Sequence, residues 1–262
     1  MQPTLQFFST EILEPGIAVV TFERPPVNAV SFDVYTEIRA ISQYLQNEHA
    51  ARVVVIVARE GARAWCGGAD LNDFLKLNSE SRRARYAYIN ECVPHFANLS
   101  KPVIAAINGP AVGVGMVLAS LCDMRVGADD AFFALPEIDR GVVAGGGCFF
   151  SRLSMPDAFV REMMYTGRRF SAQEVAKTGF FNYVVPRNEV LAKALEMADI
   201  IARKSLPALM ATKQSAIAAE TMTWMEAYKA SQEHAAALTG MGDSKEGIRA
   251  FLERRAPSYA DA

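Results

Sequence analysis

Three short apolar runs constrain this chain more than anything else in it. Ile17–Phe22 and Val53–Ala58 are rich in Val and Ile, and 102–107 reads Pro-Val-Ile-Ala-Ala-Ile before stopping at Asn108-Gly109-Pro110. Runs of this length ending in turn residues read as buried strands. Between the first two, Val34, Ile38, Ile41 and Leu45 recur at helical spacing within Ser31–Asn47, with Ser31 or Asp33 placed to cap the start. Ser79–Leu99 reads as a second helix, its basic face at Arg82, Arg83 and Arg85 expected to be solvated. Strand alternating with helix predicts an α/β fold around a largely parallel sheet.

After Val185-Pro186 the texture changes. Glu189–Lys204, Pro207–Glu220, Thr223–Leu238 and Ser244–Arg255 all read as helices, several apolar on more than one face. A helix apolar around much of its girth packs on two sides. The chain therefore divides into a core, 1–186, and a helical region, 187–262, whose surplus apolar surface predicts subunit contact. That surplus shows in the composition, with 51% hydrophobic against 21% charged residues and a mean hydropathy of +0.08. It does not belong in a membrane, because the longest apolar stretches fall far short of the ~20 residues a spanning helix needs. Residues 1–10 lack a basic segment followed by an apolar run, so the expected location is cytoplasmic. A formal net charge of −2 argues against nucleic acid, which is bound through clustered Lys and Arg. Cys66, Cys92, Cys122 and Cys148 form no CxxC pair and the histidines are scattered, so neither a disulfide framework nor a metal site is expected.

Chemistry concentrates in three segments. Ala64–Leu71 follows a strand, carries Gly67-Gly68 and leads toward a helical stretch expected near Leu71, with Asp70 able to cap it. Such a turn offers bare N–H groups to a developing oxyanion, or is a plain strand-to-helix turn. Cys66 within it has no histidine nearby to make it a nucleophile. Asn108–Ala119 repeats the pattern, with Gly113 and Gly115 at a helix N-terminus. Together with Ala119 they mimic a dinucleotide fingerprint. The acid such a site wants about 20 residues on would be Asp129 or Asp130, and these precede Phe132-Phe133 rather than ending a strand. In Phe132–Gly141, Glu137 follows a proline among apolar neighbours. That is either a general base raised by burial or an acid favoured in a helix's first turn.

Taken in order, "ERPPVNAV", "AWCGGADL", "AAINGPAVGVGMVLA", "CDMRVGADDAFFALPEIDRG", "TGRRFSAQEVAKTGFFNYVV" and "DSKEGIRAFLERRAP" resemble the enoyl-CoA hydratase/isomerase family, the crotonases. The resemblance implies a spiral of ββα turns with a C-terminal helical region that packs into a homotrimer or hexamer. It implies an acyl-CoA thioester substrate and no permanently bound cofactor, coenzyme A arriving as part of the substrate. It places the oxyanion donors on the backbone N–H groups of Ala69 and Val114. Of the two glutamates that hold a water in the family's hydratases, one matches Glu137 and the other falls on Val117. The acid that some relatives carry further on falls on Gly145. A lone Glu137 implies double-bond isomerisation, the alternative being a hydratase or hydroxyacyl-CoA dehydratase, and a non-catalytic binding or scaffold protein a rival of another class. Asp139 and Arg140 either assist or lie exposed. The resemblance also puts Val27, Gly67 and Leu71 along the coenzyme path and Arg24 and Arg254 at its phosphates. Phe251 would line a neighbouring subunit's pocket; the alternative is an amphipathic helix with Phe251 inside and Arg254 outside. Trp65, Met116, Phe132 and Phe149 are either acyl-pocket or core residues.

Overall fold

The computed structural model describes residues 2–75, 77–153 and 155–260. All three apolar runs are strands of one sheet: β2 (Ile17–Phe22), β3 (Val53–Ala58) and β4 (Val103–Ile107), preceded by β1 (Phe8–Leu13). With β6 (Met124–Ala128) and β9 (Tyr183–Val185) the order is β1-β2-β3-β4-β6-β9. Only β1 runs antiparallel to its neighbour. A parallel sheet is covered on both faces. Accordingly, β4 is buried along its whole length.

The chain climbs in repeated turns of strand, short second strand and helix. After β2 comes a bridge residue, Val30, then α1 (Phe32–Asn47); after β3 come Cys66 and Ala69, then α2 (Ser79–Ala97). After β4 come β5 (Ala111–Val112) and α3 (Val114–Leu121), and after β6 comes β7 (Phe132–Ala134). The second strands contact one another in parallel, Val30 with Ala69, Cys66 with Ala111, and β5 with β7. β8 (Phe170–Ser171) closes this small layer antiparallel to β7. α4 (Gly147–Arg152), α5 (Asp157–Thr166) and α6 (Ala172–Ala176) fill the stretch between β7 and β9.

Side chains alternate across a strand. Val54 and Ile56 meet Ile38, Ile41 and Leu45 of α1 and Phe96 of α2 around a narrow apolar cavity. On the opposite face α7 (Val190–Ala202) crosses β2, β3, β4 and β6. It buries Val190, Ala194, Ala198 and Ala202, one residue per turn. The first helix beyond residue 186 thus packs on the sheet, and the helices that leave it are α8 (Leu206–Thr221), α9 (Trp224–Leu238) and α10 (Gly242–Glu253). α8 is anchored by the buried Lys213, whose ammonium pairs with Asp123 at 2.8 Å and donates to the Lys101 carbonyl at 2.9 Å. Among the described residues no helix is long and apolar enough to cross a membrane.

Three local expectations are corrected. The stretch after Asp70 is a single 3-10 turn, Leu71–Asp73, and the chain restarts as α2 behind an Asn78 capping box. Ser31 stands at the N-cap of α1 without a side-chain cap bond, and the Phe32 N–H goes instead to the Asp73 carboxylate at 3.0 Å. Arg85 is not solvated: it is buried, with its guanidinium 2.8 Å from Asp73 and close to the Phe32 and Phe74 rings.

Candidate active site

The two glycine turns leave the carboxyl ends of adjacent strands, β3 and β4, and lock together. Trp65 and Cys66 N–H donate to the Pro110 carbonyl at 3.0 and 3.2 Å, and Val112 N–H donates to the Cys66 carbonyl at 3.0 Å. A Cβ on Gly115 would lie 2.4 Å from the Cys66 carbonyl oxygen, so only glycine lets the turns approach this closely. Burial pushes the Cys66 thiol up to about 12, which removes it as a nucleophile.

A strap over residues 24–30 clamps the first turn. Asn28, buried and left-handed at φ 53°, donates its side-chain amide to the Phe22, Ala64 and Trp65 carbonyls at 3.2–3.3 Å. Gly67 N–H donates to the Val27 carbonyl at 2.8 Å, Val30 N–H to the Gly68 carbonyl at 2.7 Å, and Asp70 N–H to the Val30 carbonyl at 3.0 Å. Gly68 N–H turns to the Cys66 sulfur. The N–H groups of residues 65 to 68 and of Asp70 are thus engaged, while that of Ala69 finds no acceptor among the described residues. The second turn leaves a matching donor. Gly113 N–H is held by the Ala134 carbonyl at 2.9 Å, and Val114 opens α3, where the first N–H groups of a helix have no partner of its own.

Glu137 stands on a 3-10 turn, Pro136–Arg140, directly after β7. Its carboxylate lies against Gly113, where an added Cβ would meet Oε1 at 2.6 Å. The other oxygen, Oε2, is buried without a hydrogen-bond partner. Burial raises this carboxyl above its ordinary range, outweighing a backbone N–H and the charge of Arg140. A carboxylate with one unpartnered, buried oxygen thus sits against Gly113, next to Val114 in the chain.

No acid stands at positions 117 and 145, where relatives carry a further one. Val117, one turn along α3, packs on the backbone of Gly146, where a Cβ would lie 2.5 Å from its Cγ2. Gly145 is exposed with open space above it. Asp139 and Arg140 are exposed, Asp139 against Gly167 and Arg140 donating to the Pro136 carbonyl at 2.8 Å.

The remaining candidates separate. Val27 and Gly67 touch, and Leu71 is half exposed. Arg24 is held in an ion pair with Asp70 at 2.7 Å. Phe251 is 83% exposed, and Arg254 is an exposed, left-handed residue ending α10 at φ 57°. The Phe-in, Arg-out arrangement is therefore not adopted: both face outward. Trp65 and Met116 are core, Phe132 and Phe149 half buried. The dinucleotide mimicry dissolves, since Gly115 serves Cys66 and Asp130 pairs with Arg187 at 3.0 Å. Sequence reasoning missed Asn28 and the Arg24–Asp70 pair; "PPVN", a turn that invites a left-handed asparagine, was the available signal.

This fold presents two backbone donors and one raised carboxylate, an arrangement suited to polarising a carbonyl and moving a proton beside it. The chain belongs to the enoyl-CoA hydratase/isomerase family, whose model matches residues 13–262, and it is an enzyme of that family with the crotonase fold. It is 31% identical over 260 residues to a probable mitochondrial enoyl-CoA hydratase of Dictyostelium discoideum, covering 97% of this chain and 91% of that one. It is 33% identical over 252 residues to carnitinyl-CoA dehydratase of Proteus mirabilis, covering 93% and 95%. The solved structure of an enoyl-CoA hydratase from Bacillus anthracis superposes with a TM-score of 0.90 at 31% identity, covering 97% of this chain and 99% of that one.

Proposed function

We propose that this enzyme binds an acyl-CoA thioester, stabilises its enolate and moves a double bond, with Glu137 as the sole acid–base. The observation that carries this reading is the Glu137 carboxylate, raised by burial and unpartnered at Oε2, with Val117 and Gly145 rather than acids at the two positions where relatives carry one. Glu137 takes a proton from the α-carbon of a β,γ-unsaturated thioester. The electron pair moves through the carbonyl onto oxygen, where the Ala69 and Val114 N–H groups receive it. Each such donor is worth about 3 kcal/mol in rate. Glu137 then returns the proton to the γ-carbon, giving the α,β-unsaturated product, so no water is consumed and no second carboxylate is required.

Coenzyme A runs past Val27, Gly67 and Leu71, and a neighbouring subunit brings Phe251 and Arg254 to it. Support for a homotrimer or hexamer comes from the exposed Trp224, Tyr228, Ile248, Phe251 and Leu252 on α9 and α10. Four free thiols suit a reducing, cytoplasmic setting.

Hydration or dehydration is the second reading, favoured by the names of the Dictyostelium and Proteus relatives. The test is to offer β,γ- and α,β-unsaturated acyl-CoA panels and follow bond migration and water addition, alongside Glu137→Gln. Migration that disappears in Glu137→Gln supports isomerisation. Water addition at a comparable rate overturns it in favour of hydration, and absence of both turnover and CoA-ester binding leaves a scaffold.

A further inference from the structure

A free N–H stabilises an oxyanion only if its peptide plane cannot turn away, and the structure shows what stops the one at Ala69. The Gly68 carbonyl shares that plane and is pinned from behind by Val30 N–H at 2.7 Å. The next peptide is pinned by Asp70 N–H on the Val30 carbonyl at 3.0 Å. The Asp70 side chain then ties the turn to the strap: Oδ1 accepts Asn72 N–H at 3.1 Å, and Oδ2 accepts Arg24 Nη2 at 2.7 Å. Arg24 is itself immobilised, its N–H on Asn28 Oδ1 at 2.7 Å, its Nη1 on the Ala29 carbonyl at 3.0 Å, its guanidinium 5.5 Å from the centre of the Phe7 ring.

We infer that Arg24 and Asp70 form a positioning latch for the Ala69 donor, and that Arg24 is not a coenzyme-phosphate ligand. The inference rests on the oxyanion reading above. Two of the guanidinium's nitrogens are committed inside the chain, and the surface cavity onto which Arg24 opens also presents the carboxylates of Glu23 and Asp70. A polyphosphate entering there meets a guanidinium whose charge Asp70 already answers in a partly buried ion pair, with Glu23 paired to Arg59 beside it. Hydrogen bonds from Arg24 and Asn72 also hold the Asp70 carboxyl below its ordinary value although burial pushes it upward, as a permanently paired acid requires.

The test compares wild type, Arg24→Met, Asp70→Asn and the double variant on one unsaturated acyl group carried either by coenzyme A or by N-acetylcysteamine, which has no phosphates. The infrared frequency of the bound thioester carbonyl is read in parallel. The latch predicts kcat lower by about ten- to a hundredfold on both thioesters, as misplacement by an ångström costs. KM should hold, the carbonyl downshift should weaken, and the double variant should be no worse than the poorer single. Asp70→Asn keeps its shape, so it carries the test if Arg24→Met does not fold. A KM that rises only for the coenzyme A ester, with kcat and carbonyl frequency unchanged, overturns the latch. A wild-type carbonyl with no downshift overturns the oxyanion reading and the latch with it.

Discussion

Glu137 carries a cost alongside its chemistry. Its carboxyl is raised by burial, with one oxygen unpartnered, so ionising it is harder in the folded chain than in the unfolded one. For a carboxyl raised on folding, the stabilising contribution is present below the unfolded pKa and is lost as pH rises through the folded value. Glu137→Gln is therefore expected to lower turnover by ~10²–10⁴-fold while raising Tm at pH 8. The Tm difference should shrink toward zero below the ordinary carboxylate range, which differential scanning fluorimetry against pH checks. In wild type the acid limb of kcat/KM should fall above the ordinary glutamate value of about 4.3. Gly113 lies against the same residue. At φ 53° and with Glu137 Oε1 2.6 Å from an added Cβ, Gly113→Ala should cost about 1–3 kcal/mol in urea unfolding and lower kcat with it.

Elements were legible in the sequence to the extent that they bury a continuous or periodic apolar set. β2, β3 and β4 are buried runs, and α1 shows its inner face as Val34, Ile38, Ile41 and Leu45. β1 was not legible, because an edge strand alternates half-buried and exposed residues, and β5 and β8 are two residues each. The positions of Ala69, Val114 and Glu137 came from ordered motifs, since a backbone donor leaves no side-chain signature. The clamp that frees the Ala69 N–H was invisible because its bonds join distant segments, Asn28 to Ala64 spanning 36 positions. Arg85 was misread for the same reason: its partner Asp73 lies in a turn the sequence presented as helix. Asn28→Ala strands the carbonyls of Ala64 and Trp65, while that of Phe22 keeps the Arg59 N–H at 3.0 Å. Stability should fall by about 1–3 kcal/mol, and kcat should fall further than heat or urea sensitivity explains, because the oxyanion turn is what those bonds hold.

For the whole molecule, the apolar surplus splits between a sheet covered on two faces and a helical tail left bare. Trp224 at 76%, Phe251 at 83% and Leu252 at 75% exposure are more than a solitary soluble chain presents without purpose. Multi-angle light scattering is expected to give three or six times 28.6 kDa, and a 28.6 kDa particle would contradict the proposed assembly. One tie between tail and core is the ion pair of the buried Lys213 with the half-buried Asp123. Lys213→Met strips the Asp123 carboxylate of its counter-charge, leaving it only the Val103 N–H at 2.7 Å, and leaves the Lys101 carbonyl unanswered; it should cost about 3 kcal/mol, read as a lower urea midpoint and a weaker assembly. Position 117 belongs at this scale too, because Val117, packed on the Gly146 backbone, stands where the resemblance puts the second acid of the family's hydratases. On the proposed mechanism, the chemistry left to the molecule is proton transfer by one carboxylate next to a held oxygen. The most direct measurement is deuterium uptake at the α-carbon of an acyl-CoA incubated in D₂O, followed by mass spectrometry for wild type and Glu137→Gln. The proposed mechanism predicts catalysed exchange in wild type and none above background in the variant; exchange that persists undiminished in Glu137→Gln would contradict it.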